Sequence, residues 1–192
     1  MNNKKGFDFS EFPILTTERL TMRRPVMADA ADILVFRGDA YVQRFNSEPI
    51  STIEESEEQI IEDHALYGRH EGISWAVTFT GENRVIGLFG LHDWSHWHRH
   101  AEAGYDLARA YWGQGIAREA LWAILKFGFT QMNLHRIYAG TIADNQESVR
   151  FLERLGFTRE GTRREFSLED DGVFHDSALY GLLSREFIAL ES

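Results

Sequence analysis

Residues 107–125 constrain this chain more than any other stretch. The run Leu107-Ala108-Arg109-Ala110-Tyr111-Trp112-Gly113-Gln114-Gly115-Ile116-Ala117-Arg118 passes from a strand through a glycine-spaced turn directly into a helix. Behind the turn, Ala117, Ala120, Leu121, Ile124 and Leu125 fall on the i, i+3, i+4, i+7, i+8 stripe of an amphipathic helix, which sets its start near Ile116. The first turn of such a helix carries N–H groups without intrahelical partners, at the positive end of the helix dipole. Gly113 and Gly115 withhold the Cβ atoms that would keep a phosphate away from those donors, and glycine tolerates positive φ. The stretch therefore reads as a phosphate cradle; the alternative is that both glycines serve only the turn. Neither G-x-x-x-x-G-K-[ST] nor G-x-G-x-x-G with an acidic residue about twenty positions on occurs. That argues against a nucleotide triphosphatase and a dinucleotide oxidoreductase.

Periodicity places the remaining elements around this one. Residues 17–24 alternate as a strand that Pro25 ends, and Asp29 can cap a helix through about Phe36. Ser51-x-x-Glu54 or Thr52-x-x-Glu55 forms a capping box for a second helix reaching about Tyr67. Residues 73–80 and 85–92 read as a hairpin, and 93–100 as a loop carrying Trp94, His96, Trp97, His98 and His100. Strands at 101–107 and 136–143 flank the glycine-turn helix, so this is a β-α-β crossover and the two strands run parallel. Asp144 or Asn145 caps the next helix, with Val149, Leu152 and Leu155 inward and Gly156 closing it in the left-handed conformation. Residues 158–168 and 173–183 form a terminal hairpin turning at 169–172.

The expected architecture is one mixed α/β domain over residues 15–192, behind a lead-in at 1–14 whose Phe7, Phe9 and Phe12 can dock on the body. With 192 residues, 43% of them hydrophobic, and no cysteine, one sizeable core forms without disulfides. The absence of cysteine also excludes an acyl-cysteine intermediate. A net charge of −10 disfavours a nucleic-acid partner and suits a cationic substrate such as an amine. No apolar run of about 18 residues occurs, and no apolar segment follows Lys4 and Lys5, so a cytoplasmic protein without a membrane partner is expected. The alternating His96, His98 and His100, beside His92 and Asp93, invite a metal reading. A surface or interface loop is the expectation, and no metal, because neither a four-ligand shell nor its support is visible.

The six positions Trp112-Gly113-Gln114-Gly115-Ile116-Ala117 resemble the pyrophosphate loop [RQ]-x-x-G-x-[GA] of the GCN5-related N-acetyltransferases (GNAT), with Trp112 departing at the first position. Tyr111-Trp112-Gly-x-Gly115, Glu102-Ala-Gly-Tyr105 and the segment from Asp144 to Phe157 are similar to the branch of the ribosomal-protein alanine and serine N-terminal acetyltransferases. The resemblance implies the GNAT acyl-CoA N-acyltransferase fold, a mostly antiparallel mixed sheet with a central splayed parallel strand pair flanked by helices. It implies acetyl-CoA as co-substrate, contacted by Leu107, Ala108, Arg109, Trp112, Gly113, Gln114, Gly115, Ile116, Ala117, Arg118 and Asn145. It places Ser148 near the thioester sulfur, where the other reading of Ser148 is a helix cap. Many relatives carry a tyrosine at the position of Phe151, so the hydroxyl role moves to Ser148, with Tyr105 a distant second.

Moving an acetyl group from a thioester to an amine needs a bound donor, a free amine, donors for the oxyanion and a proton for the thiolate. The expected oxyanion donor is a backbone N–H around Leu107 to Arg109, and the expected base is Glu102 or Glu165. The acceptor that the resemblance implies is a protein N-terminal α-amine. Acetylation of a small amine such as a polyamine or aminoglycoside, and a non-catalytic acyl-CoA-binding module, stand as alternatives. A homodimer through the last strands or the tryptophan loop is a further implication.

Overall fold

The computed structural model describes residues 7–46, 48–169 and 172–191. Its strands are β1 (Leu15–Thr16), β2 (Leu20–Arg23), β3 (Ile73–Phe79), β4 (Val85–Ser95), β5 (His100–Leu107), β6 (Arg136–Ile142), β7 (Thr158–Leu168) and β8 (Phe174–Leu183). Its helices are α1 (Ala30–Arg37), α2 (Ala40–Gln43), α3 (Ile53–Gly68), α4 (Ile116–Thr130), α5 (Gln146–Arg154) and α6 (Ser184–Glu191). The strands form one mixed sheet in the order β1-β2-β3-β4-β5-β6-β8-β7. Every pairing is antiparallel except β5 with β6.

That parallel pair is joined only at His100↔Arg136, Ala101↔Ile137 and Glu102↔Tyr138. Beyond Glu102, β5 continues to Leu107 against β4, and β6 continues to Ile142 against β8. The two strands therefore diverge, opening a gap in the middle of the sheet that periodicity alone does not announce. The core lies on both faces. Ala120, Leu121, Ile124 and Leu125 of α4 are fully buried, with Ile137, Ala139 and Leu152, in the larger cluster. Ile33, Phe36 and Ile60 of α1 and α3 close over Ala76, Leu88 and Ala108 on the other face. Phe9 stacks on His70 at 3.7 Å and Phe7 meets Phe127 edge-on at 5.4 Å, so the described part of the lead-in is packed on the body.

Several boundaries differ from the sequence reading. The expected loop at 93–100 shrinks to a turn at 96–99: β4 runs on to Ser95 over a bulge, with Asp93 at φ 48°, because Trp94 is buried among aromatic side chains, and β5 starts at His100. Asp29 precedes α1 without capping it, since its carboxylate accepts instead from Arg23 and from the Val26 amide. Thr52 and Glu55 make the reciprocal capping box of α3. Asn145, not Asp144, caps α5 by accepting from the Ser148 amide at 3.1 Å. Of the strand expected at 17–24, only 20–23 is strand, as β2; it follows a turn in which the Thr17 N–H donates to the Leu20 carbonyl, and β1 lies before that turn. Two helices were not foreseen: α2 is too short to show a period, and α6 is recruited by Phe187, which is buried against Trp122 and Phe129. The turn residues 170 and 171 and lead-in residues 1–6 lie outside the described residues.

Candidate active site

Gly115 stands at the N-cap of α4 with φ 77°, and Gly113 has φ 72°. A Cβ added at Gly113 would meet nothing within 4 Å, and at Gly115 only the Arg19 guanidinium at 3.6 Å. Packing does not demand glycine at either position; the left-handed backbone does. The loop is tied down from behind. Trp112 Nε1 donates to the Leu107 carbonyl at 2.8 Å, Gln114 Nε2 to the Ala110 carbonyl at 2.8 Å, and Arg19 to the Gln114 carbonyl at 3.2 Å. Trp112 thus does a structural job at the position where the family pattern has Arg or Gln.

The start of α4 opens onto a cavity of about 940 Å³. Leu107, Trp112, Gly113, Gly115, Ile116, Ala117 and Arg118 line one end, and Asn145 and Ser148 at the head of α5 line its wall. Three other expected contacts fall differently. The Arg109 guanidinium lies 4.0 Å over the Tyr41 ring, and Gln114 folds its amide back on the loop. The Ala108 amide donates to the Ile86 carbonyl at 2.8 Å, which removes it as an oxyanion donor. Because successive amides along a strand point to opposite sides, those of Tyr105 and Leu107 face away from β4, toward the gap left by β6.

In that gap the Tyr105 hydroxyl and Ser148 Oγ are 2.8 Å apart and hydrogen-bonded. Phe151 packs edge-on against the Tyr105 ring at 5.0 Å, filling the place of the missing tyrosine with a wall that buries this one. Burial raises the Tyr105 phenol to about 12, against a smaller opposing effect of the Ser148 bond. The pair consequently holds its protons at neutral pH.

On the opposite face of the sheet, β5 presents Glu102, Gly104 and Asp106. Asp106 is buried and satisfied, accepting from Arg37 at 2.5 Å, Asn46 at 2.8 Å and Gln43 at 3.0 Å. Glu102 is half-buried, with Oε1 within 3.7 Å of where a Gly140 side chain would start. Burial and the nearby Asp93 raise its pKa, with the Gly140 amide and Arg163 pulling the other way. Glu165 is elsewhere. It sits exposed on β7 with φ 50°, its amide bound to Asp176; neither it nor Glu102 lines the cavity, although Gly104 and Gly140, the neighbours of Glu102, do. Asp63 of α3, which sequence reasoning missed, and His92 of β4, singled out there only for the metal reading, line the cavity. A signal existed for Asp63, since it shares the buried stripe of Ile60 and Tyr67. The histidines do not converge. His96 bonds the His70 carbonyl and stacks on Trp94, and among the described residues no three His, Asp or Glu side chains gather as a metal would require.

Comparison with known proteins matches residues 19–158 to the acetyltransferase (GNAT) domain. The uncharacterized N-acetyltransferase YoaA of Bacillus subtilis is 32% identical over 173 residues, covering 90% of this chain and 97% of YoaA. The solved spermidine N-acetyltransferase of Vibrio cholerae, in complex with CoA and spermine, superposes with a TM-score of 0.79 at 25% identity, covering 90% of this chain and 99% of that one. The ribosomal-protein-S5-alanine acetyltransferase of Vibrio fischeri shares the fold with a TM-score of 0.80 at 23% identity, covering 91% and 98%.

Proposed function

The chain belongs to the GNAT acetyltransferase family, and from that premise we propose that it transfers the acetyl group of acetyl-CoA directly onto the N-terminal α-amine of a protein, in the cytoplasm. The observation that carries the reading is one continuous cavity joining the glycine cradle of α4 to the Tyr105–Ser148 pair through the gap between β5 and β6.

The residues present fit acetyl-CoA. The amides at the start of α4, with Arg118 beside them, form a site for its pyrophosphate, and the gap between the strands admits the extended arm. The co-substrate supplies an acetyl thioester. Glu102 takes a proton from the incoming amine, directly or through water, and its raised pKa makes it a mild base suited to an α-amine whose own pKa is near 8. The amine nitrogen bonds to the carbonyl carbon, the Tyr105 and Leu107 amides stabilise the oxyanion, and the carbon–sulfur bond breaks. Ser148 gives its proton to the departing thiolate while the Tyr105 hydroxyl, 2.8 Å away, donates a hydrogen bond to the Ser148 oxygen; Ser148 regains a proton from solvent and Glu102 releases the amine's proton to it. Asn145 fixes Ser148 by capping α5. A relative named as a ribosomal N-acetyltransferase, YdaF of Bacillus subtilis, 29% identical over 181 residues and covering 92% of this chain and 97% of YdaF, supports a ribosomal-protein acceptor.

A thermal-shift titration with acetyl-CoA, with CoA and ATP in parallel, tests the donor site. Mass spectrometry of N-terminal peptides incubated with protein and acetyl-CoA then tests transfer. Stabilisation by acetyl-CoA and CoA but not by ATP, followed by acetylation at the α-amine, is expected. No stabilisation at millimolar CoA, or acetylation only of side-chain amines, overturns the reading.

A further inference from the structure

Two arginines on the wall of the cavity have no anion to hold. Arg150 and Arg154 of α5 both line it, next to Asn145, Ser148 and Phe151, and both residues are exposed, so a ligand can reach them. Neither makes an ion pair or a hydrogen bond among the described residues. Carboxylates are not scarce. The chain has 30 Asp and Glu against 20 Lys and Arg, and Arg19, Arg23, Arg37 and Arg69 each hold one.

The carboxylates of α5 itself are turned elsewhere. Glu147 pairs with Arg44 at 3.1 Å, and Glu153 accepts from the Tyr180 hydroxyl at 3.3 Å. Spaced i, i+4, the two guanidiniums share one face of the helix and repel each other, an arrangement that lowers helix stability while no anion lies between them.

Arg44 also shows how near this wall stands to the glycine cradle. Its guanidinium contacts Glu147 in the first turn of α5 and lies 5.7 Å from the Trp112 ring of the cradle. Arg150 and Arg154 follow Glu147 on the same face by one and two turns, within about 10 Å along the axis. Ser148 and Phe151, on the adjoining face, meet Tyr105 in the gap between β5 and β6. A ligand with its pyrophosphate on α4 and its thioester at Tyr105 and Ser148 therefore lies along α5, and a further anion close to the pyrophosphate meets the arginine face.

We propose that Arg150 and Arg154 bind a second phosphate of the donor, the 3′-phosphate of coenzyme A, apart from the pyrophosphate held at the cradle. The inference rests on the reading of the cradle as the donor site. A phosphate monoester carries about 1.5 to 2 negative charges at pH 7 and three acceptor oxygens, which two guanidinium forks can hold together. The pair thereby selects free acyl-CoA over donors that lack this group, such as the dephospho form or a phosphopantetheine arm on a carrier.

Titration calorimetry with CoA and with dephospho-CoA tests this. The wild type is expected to bind CoA about tenfold or more tightly, with a ratio that shrinks as salt is added. Arg150→Gln and Arg154→Gln each lower the ratio, and the double variant brings it to about one by weakening CoA while the affinity for dephospho-CoA stays at the wild-type value. Because the substitutions remove a like-charge pair from an exposed face, the ligand-free double variant should melt at or above the wild-type temperature. Equal affinities in the wild type, a ratio that survives in the double variant, or a loss shared equally by both compounds overturns the proposal and leaves the donor site standing. Failure of the wild type to bind either compound overturns both.

Discussion

Replacing Gly115 by valine separates the cradle from the turn. At φ 77° and ψ 0° the N-cap of α4 lies in the left-handed region, where a non-glycine residue costs about 1–2 kcal/mol. The added Cβ would sit 3.6 Å from the end of the Arg19 side chain, an ordinary contact, so no clash adds to that cost. For a domain of this size each kcal/mol moves Tm by about 2–4 °C, and the ligand-free variant should melt roughly 2–8 °C below wild type. The ligand-bound difference is the informative one. At a CoA concentration of about 100 Kd the wild type gains roughly 2.7 kcal/mol, or about 5–11 °C. A valine side chain among the first amides of α4 displaces the pyrophosphate; if Kd rises about a hundredfold, the gain at the same concentration falls to roughly RT ln 2, or about 0.4 kcal/mol. Differential scanning fluorimetry with and without CoA reads both numbers from one preparation. Gly115→Ala supplies the backbone cost with little bulk. A variant that melts lower without ligand but keeps the full wild-type stabilisation by CoA refutes the cradle and leaves Gly115 a turn glycine.

Three further outcomes follow from the geometry. Ser148→Ala should lower kcat by about a hundredfold or more while leaving the KM for acetyl-CoA near wild type, and Tyr105→Phe should lower kcat by a smaller factor; steady-state rates equal to wild type in both would remove the pair from the reaction. Glu102 must be ionised to act and its pKa is raised, so the kcat–pH profile should show an acidic limb above the ordinary glutamate range, and Glu102→Gln should lose it; an identical limb in the variant assigns it to another group. Burial works to raise the pKa of Glu119, but bonds from the Thr17 hydroxyl, the Arg19 amide and the Arg19 guanidinium outweigh it and hold the group below 4.5. A depressed folded-state pKa contributes stability that is present above the unfolded value and lost as pH falls through the folded one. Stability against denaturant should therefore fall in acid below about pH 4.5, and Glu119→Gln should flatten that slope; an unchanged slope would show that the Glu119 clasp between α4 and the β1–β2 turn is not the acid-sensitive element.

The parts of this molecule that were legible in the sequence are those written by local physics. The apolar stripe of Ala120, Leu121, Ile124 and Leu125 placed the start of α4 at Ile116, and the Thr52–Glu55 spacing placed α3. Local rules failed where a distant contact decided. Trp94 extends β4 into an apparent loop because Phe7 and Phe9 of the lead-in pack on it, and Phe187 turns the tail into α6 because Trp122 and Phe129 lie beneath it. The site shows the same division more sharply. Gly113 and Gly115 declare themselves because a left-handed turn before a helix has few other solutions. Tyr105 and Ser148 are 43 positions apart and meet only because β5 and β6 part after Glu102, a divergence that leaves no trace in hydrophobic period. Glu102 and Glu165 are indistinguishable as residue types, and register alone puts one in the half-buried row beside Gly140 and the other on an exposed edge strand. Asp63 is the intermediate case. An acid on the buried stripe between Ile60 and Tyr67 violates the helix pattern. Such a violation marks a position held for something other than packing, and the bond that its Oδ1 accepts from Ser74 of β3 ties α3 to the sheet.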